Sequence, residues 1–134
     1  MARIAHLKIK VKTLGAESRF IRQGEIQHRN QARKARAKGR WTIARRHETE
    51  HWWLYTHRLH TVQPAARTNH LAYGFLRGRS YSEMEAKARI EPDWKAIEKV
   101  VRRFDGNMAD FETWKTHAEG HFRRNQVGLH KEAA

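Results

Sequence analysis

The sequence contains no cysteine, so it has neither a disulfide framework nor a thiolate metal site. It also lacks any long hydrophobic run, because its longest apolar and aromatic stretch, residues 52–55, is far too short for a signal peptide or a membrane span. No glycine-rich phosphate loop and no serine–histidine–aspartate pattern is present. We therefore expect a cytoplasmic, non-enzymatic protein that has no cofactor and no membrane partner.

Acidic residues are scarce in the N-terminal third of the chain. Residues 1–46 hold 14 lysines and arginines against 2 glutamates, whereas residues 80–134 hold 10 basic and 10 acidic residues. The whole chain of 134 residues carries a formal net charge of +14. So strong and so uneven a charge favours a phosphate-rich partner, which makes nucleic acid the first expectation.

The basic charge is densest between residues 27 and 46, where no acid occurs. Alanines between the charges favour a helix but leave it almost no apolar face, so we expect a polyanion to hold this stretch in place. Nucleic-acid contact is predicted for Arg29, Arg33, Lys34, Arg36, Lys38, Arg40, Arg45 and Arg46, with Trp41 as a stacking residue. DNA and RNA remain equal alternatives.

The spacing of apolar residues predicts an all-α protein. A heptad seam opens the chain, and it predicts one long helix from about Arg3 to near Lys38, which ends in a turn at Gly39. An arm of a helical hairpin and a dimerising coiled coil, hence a homo-oligomer, both remain open. The seam consists of Ile4, Leu7, Val11, Leu14, Ser18 and Ile21.

A second helix is predicted from Trp41 to about Thr61, with Pro64 breaking it or opening the next helix. Large aromatic residues occur on two of its faces, and we expect core packing for most of these rings. Stacking on nucleic acid is the alternative for Trp41 and Trp53. The seven residues of its main stripe are Trp41, Ala44, Glu48, Trp52, Tyr55, Leu59 and Val62.

The C-terminal half predicts four further helices: a short one around residues 71–76, one at residues 82–89 capped by Ser82 and Glu85, one opened by Pro92, and one capped by Asn107. A frayed tail is expected from about Asn125. The predicted domains are a basic helical hairpin or arm, residues 1–62, and a helical bundle, residues 63–134.

Two short helices joined by about four residues give the bundle a helix-turn-helix layout. A DNA-reading role would place basic residues beside the unit and on the outer side of its recognition helix. These further nucleic-acid candidates are Arg77, Arg79, Lys95, Lys99, Arg102 and Arg103.

The segment His47-Glu48-Thr49-Glu50-His51 matches the H-E-x-x-H pattern, in which two histidines bind zinc and the glutamate is the general base. His57 stands where metzincin proteases place a third ligand, but Leu54 replaces the glycine of that pattern. Zinc hydrolysis is therefore a remote alternative. Whether His47 with His51, or His117 with His121, binds a metal without catalysis is left open, and no metal site is predicted.

Residues 65–104 resemble small, basic, mostly uncharacterised proteins of small DNA bacteriophages. The stretch that carries the resemblance is ARTNHLAYGFLRGRSYSEMEAKARIEPDWKAIEKVVRRF. The resemblance implies a phage or mobile-element origin and a role on viral nucleic acid or host machinery, in the host cytoplasm or nucleoid. A phage-encoded adaptor or inhibitor that binds a host or viral nucleoprotein complex is the second expectation. The resemblance implies no catalytic residues.

Overall fold

The computed structural model describes residues 3–133, with side chains described for residues 3–128. Over that range the protein is all-α and contains no strand, which confirms the predicted fold class. The chain divides into a middle unit, residues 12–66, and a terminal unit formed by residues 1–11 together with residues 67–134. The helices are α1 (Ile4–Ala37), α2 (Trp41–His57), α3 (Gln63–Leu76), α4 (Tyr81–Met84), α5 (Trp94–Arg103) and α6 (Met108–Ala133).

Helix α1 confirms the predicted long N-terminal helix. All six predicted seam residues are buried or half-buried, whereas Ile9 and Phe20, which lie off the seam, are exposed. The same alternation of three and four residues continues beyond Ile21 for two more heptads, and every added position is also buried or half-buried. The added positions are Glu25, His28, Ala32 and Ala35.

Gly39 makes the predicted turn between α1 and α2. Its φ of 70° lies in the left-handed region that glycine adopts without steric cost, and the Arg40 N–H donates to the Ala35 carbonyl at 2.8 Å. Within the middle unit, α1 and α2 run in opposite chain directions, since His28 meets His47 and the earlier Glu25 meets the later His51.

Between α2 and α3 the backbone forms a π-helical turn at Arg58–Val62. The Gln63 N–H donates to the Arg58 carbonyl five residues earlier, and Pro64 follows as the second residue of α3. Residues 41–76 are helical without a break, so Pro64 does not end the second helix as the prediction allowed. It lies directly after the π-helical turn, where the regular hydrogen-bond pattern is already interrupted and its missing N–H is tolerated. Helix α3 ends before Gly78 as predicted, but it is 14 residues long rather than short.

The terminal unit packs its helices around one apolar cluster, which includes Leu7, Leu71, Ile97, Val101 and Phe111. The prediction that Asn107 caps the last helix is confirmed, because its Oδ1 accepts from the Asp110 N–H at 3.0 Å.

Gly106, which lies just before α6, is closely surrounded by other side chains. A Cβ atom at Gly106 would lie 2.5 Å from Val101 Cγ1 and 2.9 Å from Leu76 Cδ2. The left-handed residue that ends α5 is Asp105, with φ 56°, so Gly106 is needed for close packing rather than for its backbone conformation.

Two predicted elements are wrong. Helix α4 begins one residue earlier than expected and ends at Met84, because the capping residue is Ser80, whose Oγ accepts from the Glu83 N–H, and not Ser82. The Glu85 carboxylate, expected to complete the cap, is instead bound by Arg67, which donates to both of its oxygens and also to the Ile90 carbonyl. The frayed tail is helical in the structure, since α6 continues to residue 133.

Candidate nucleic-acid interface

The eight basic residues predicted from the sequence lie at the end of α1, in the Gly39 turn and at the start of α2. We call residues 29–46 the basic tip. Every one of its lysines and arginines is exposed, and it contains no acidic residue. The stretch of α1 from Arg29 to the turn covers ~13 Å at the usual rise of an α-helix, so the charges form an extended surface rather than a point.

The expectation that this stretch has nothing to pack against is wrong. Ala32, Ala35 and Ala44 are all buried, with exposures of 3%, 7% and 2%. A small side chain at each position lets helix backbones come close together and excludes water from between them. The basic tip therefore has a seam of alanines inside and charges outside, and it needs no polyanion to keep its shape.

One arginine of the basic tip has an acidic partner, because Arg36 forms an ion pair with Glu48. No other ion pair of the tip occurs among the described side chains. The seven cations left for a polyanion are Arg29, Arg33, Lys34, Lys38, Arg40, Arg45 and Arg46.

The rings of α2 do not pack as predicted. Trp41, Trp52 and Trp53 are 60%, 59% and 66% exposed, and Leu59 is also exposed, whereas the buried residues of α2 and the π-helical turn are Ala44, Arg58 and Val62. The reason is that α2 turns a different face inward. Its buried and half-buried side includes His47, His51 and Leu54, which leaves all three tryptophans of α2 in contact with solvent.

A polar layer interrupts the apolar seam of the middle unit, and sequence analysis missed it. The Glu25 carboxylate is fully buried and accepts two hydrogen bonds from Arg58, one of them from Nη2 at 3.0 Å. Arg22 donates a third at 3.3 Å. Beside this pair the Nδ1 atoms of His28 and His47 lie 2.9 Å apart, which requires that one ring donates and the other accepts.

Burial by itself raises the pKa of the Glu25 carboxyl, but hydrogen bonds and charge attraction from Arg58 and Arg22 outweigh it and lower that pKa below its usual value of 4.5. The same hydrogen bond raises the pKa of the Arg58 guanidinium. Both groups are therefore charged at neutral pH and form a paired, buried salt bridge. The signal in the sequence was the continuation of the seam spacing at Glu25.

The H-E-x-x-H residues are engaged in other contacts. His47 faces His28, His51 donates from Nδ1 to the Glu25 carbonyl at 2.9 Å, and Glu48 pairs with Arg36. His57 stacks on Trp53, with ring centroids 5.9 Å apart. Among the side chains of residues 3–128, no three histidine, cysteine, aspartate or glutamate groups lie close enough to hold a metal ion.

The six candidates in the C-terminal half lie in the terminal unit and are exposed. Arg102 donates to Glu98 at 3.1 Å, and Lys95, Lys99 and Arg103 have no acidic partner among the described side chains. The four-residue turn predicted between two short helices is wrong, because nine residues separate α4 from α5. Arg77 and Arg79 flank Gly78 at the end of α3.

No described helix has the length and apolar character needed to cross a membrane. Comparison of the chain with protein-family models, with curated proteins and with solved structures finds no match.

Proposed function

We propose that the protein binds nucleic acid without catalysis and that the basic tip is the main contact. The observation that carries this proposal is the set of seven exposed cations with no acidic partner in the described structure. They lie on α1, α2 and the turn between them, next to alanines that are buried. A folded, preorganised cationic surface loses little conformational entropy on binding. Arginine predominates in it, and its planar guanidinium suits bidentate contact with phosphate oxygens.

Phosphate contacts of this kind position the protein on nucleic acid but do not read its sequence. We therefore propose binding with little sequence preference and a strong dependence on salt. If all seven cations contact phosphates, the slope of log K against log salt is about −5 for a single strand and about −6 for duplex DNA.

The four exposed cations of α5 form a second basic surface, which we propose adds weaker contacts. Fluorescence anisotropy of labelled oligonucleotides at several salt concentrations separates the two surfaces. Changing Arg29, Arg33, Lys34 and Arg45 to glutamine makes the slope shallower by about 3, because each lost phosphate contact removes ~0.7–0.9. The matched variant with Lys95, Lys99, Arg102 and Arg103 changed to glutamine alters the slope by less than about 1.

A slope of about −2 or shallower for the unaltered protein contradicts the proposal, since that corresponds to only two or three phosphates. An equal loss of slope in both variants contradicts the assignment of the main contact to the basic tip.

A further inference from the structure

Trp52 and Trp53 form the wall of an open groove on the outer face of α2. The groove has a volume of about 760 Å³, and Arg45, Thr49, Thr56 and His57 complete its lining together with Glu48. Tryptophan is on average one of the more buried residue types, so two adjacent rings that are each more than half exposed need a reason.

The two indole rings are held in position by their neighbours. Trp53 stacks on the imidazole of His57 with an angle of 25° between the planes. Trp52 stands nearly perpendicular to Tyr55, at 88° and a centroid distance of 5.5 Å, and also contacts the edge of His51. These contacts fix both aromatic planes before any ligand arrives.

We infer that this groove takes unpaired nucleobases, so that the class of nucleic acid bound is single-stranded; this inference rests on the proposed function. An exposed, oriented aromatic plane can stack on a base only when the base is not already stacked in a duplex. Arg45 lies in the same groove and belongs to the basic tip, which places a cation for phosphate beside the rings for bases. Glu48, the acidic residue of the lining, is ion-paired with Arg36, which weakens its repulsion of a strand.

Charge decides between a nucleic acid and a second copy of the chain as the occupant. The middle unit carries twelve basic and four acidic residues, a net charge of +8. Two such surfaces repel each other, whereas a polyanion is attracted. The exposed groove therefore fits a single strand better than it fits a dimer interface.

The test compares a 20-nucleotide single strand with its duplex at one salt concentration, using the full chain and both anisotropy and quenching of tryptophan fluorescence. Trp53→Ala weakens single-strand binding about tenfold and leaves duplex binding within about twofold, because one stacking contact is lost. Trp53→Phe, which keeps an aromatic plane, recovers most of the affinity. Phe20→Ala removes another highly exposed ring, from α1, and is the matched control with no effect. Helical circular dichroism of each variant checks that it is folded.

The outcomes separate the inference from the proposed function. If Trp53→Ala weakens the binding of single strand and duplex equally, or weakens the binding of neither, the inference is overturned. A steep salt slope in that case still supports phosphate binding. Failure of the unaltered protein to bind either oligonucleotide overturns both. Two further outcomes assign the groove to another occupant and also overturn the inference. One is a wild-type dimer in sedimentation velocity that Trp53→Ala dissociates. The other is tight binding to anionic vesicles that Trp53→Ala abolishes without affecting single-strand binding.

Discussion

Replacing the Glu25 carboxylate while Arg58 stays in place tests how the middle unit is held together. The Glu25 side chain is 0% exposed and that of Arg58 is 11% exposed, so Glu25→Leu leaves a guanidinium buried with neither of its two hydrogen-bond acceptors. Breaking one partner of a buried pair costs about 3–5 kcal/mol, and the loss of two charged hydrogen bonds, at ~1.5–3 kcal/mol each, is of the same size. For a chain of this length we expect the melting temperature to fall by ~10 °C or more.

The companion variant removes both charges together. Glu25→Leu with Arg58→Met replaces the pair by apolar side chains, and we expect the free energy of unfolding to stay near the original value or to rise by ~1–4 kcal/mol. Urea denaturation followed by circular dichroism at 222 nm measures the free energy of unfolding of all three proteins, and an m-value that stays constant shows that each exposes the same surface on unfolding. A single variant within about 1 kcal/mol of the original protein, or a double variant less stable than the single one, refutes this account of the buried pair.

Three further predictions concern the stability of the folded protein. Because folding lowers the pKa of the Glu25 carboxyl, the stability that Glu25 contributes is complete above pH 4.5 and is lost as the pH falls below 4.5 toward the folded-state pKa. Acid titration monitored by circular dichroism measures this loss of stability, and the double variant should lose less. Gly106→Ala should lower the free energy of unfolding by ~1–3 kcal/mol in urea denaturation, since the new Cβ meets Val101 and Leu76, and an unchanged midpoint contradicts this. Ser80→Ala should cost ~1 kcal/mol in thermal unfolding and Ser82→Ala much less, and the reverse order contradicts the observed cap.

Local patterns in the sequence were enough for most helix positions. The extent of α1, the turn at Gly39, the start of α2 and the Asn107 cap all depend on residues within a few positions of one another, so spacing and capping rules predict them. Helix α4 was misplaced because Glu85 pairs with Arg67, 18 residues away, and a local capping pattern carries no information about such a partner.

The concentration of positive charge in residues 29–46 and the all-α class were determined by the sequence alone, since composition and periodicity do not depend on which helices meet. Only the tertiary structure decided that three alanines anchor the basic tip, that Glu25 pairs with Arg58 across 33 residues, and that Trp52 and Trp53 face solvent. The physical reason is that α2 has polar and apolar residues on every side, so the helix packed against it, and not its own pattern, selects the face that is buried.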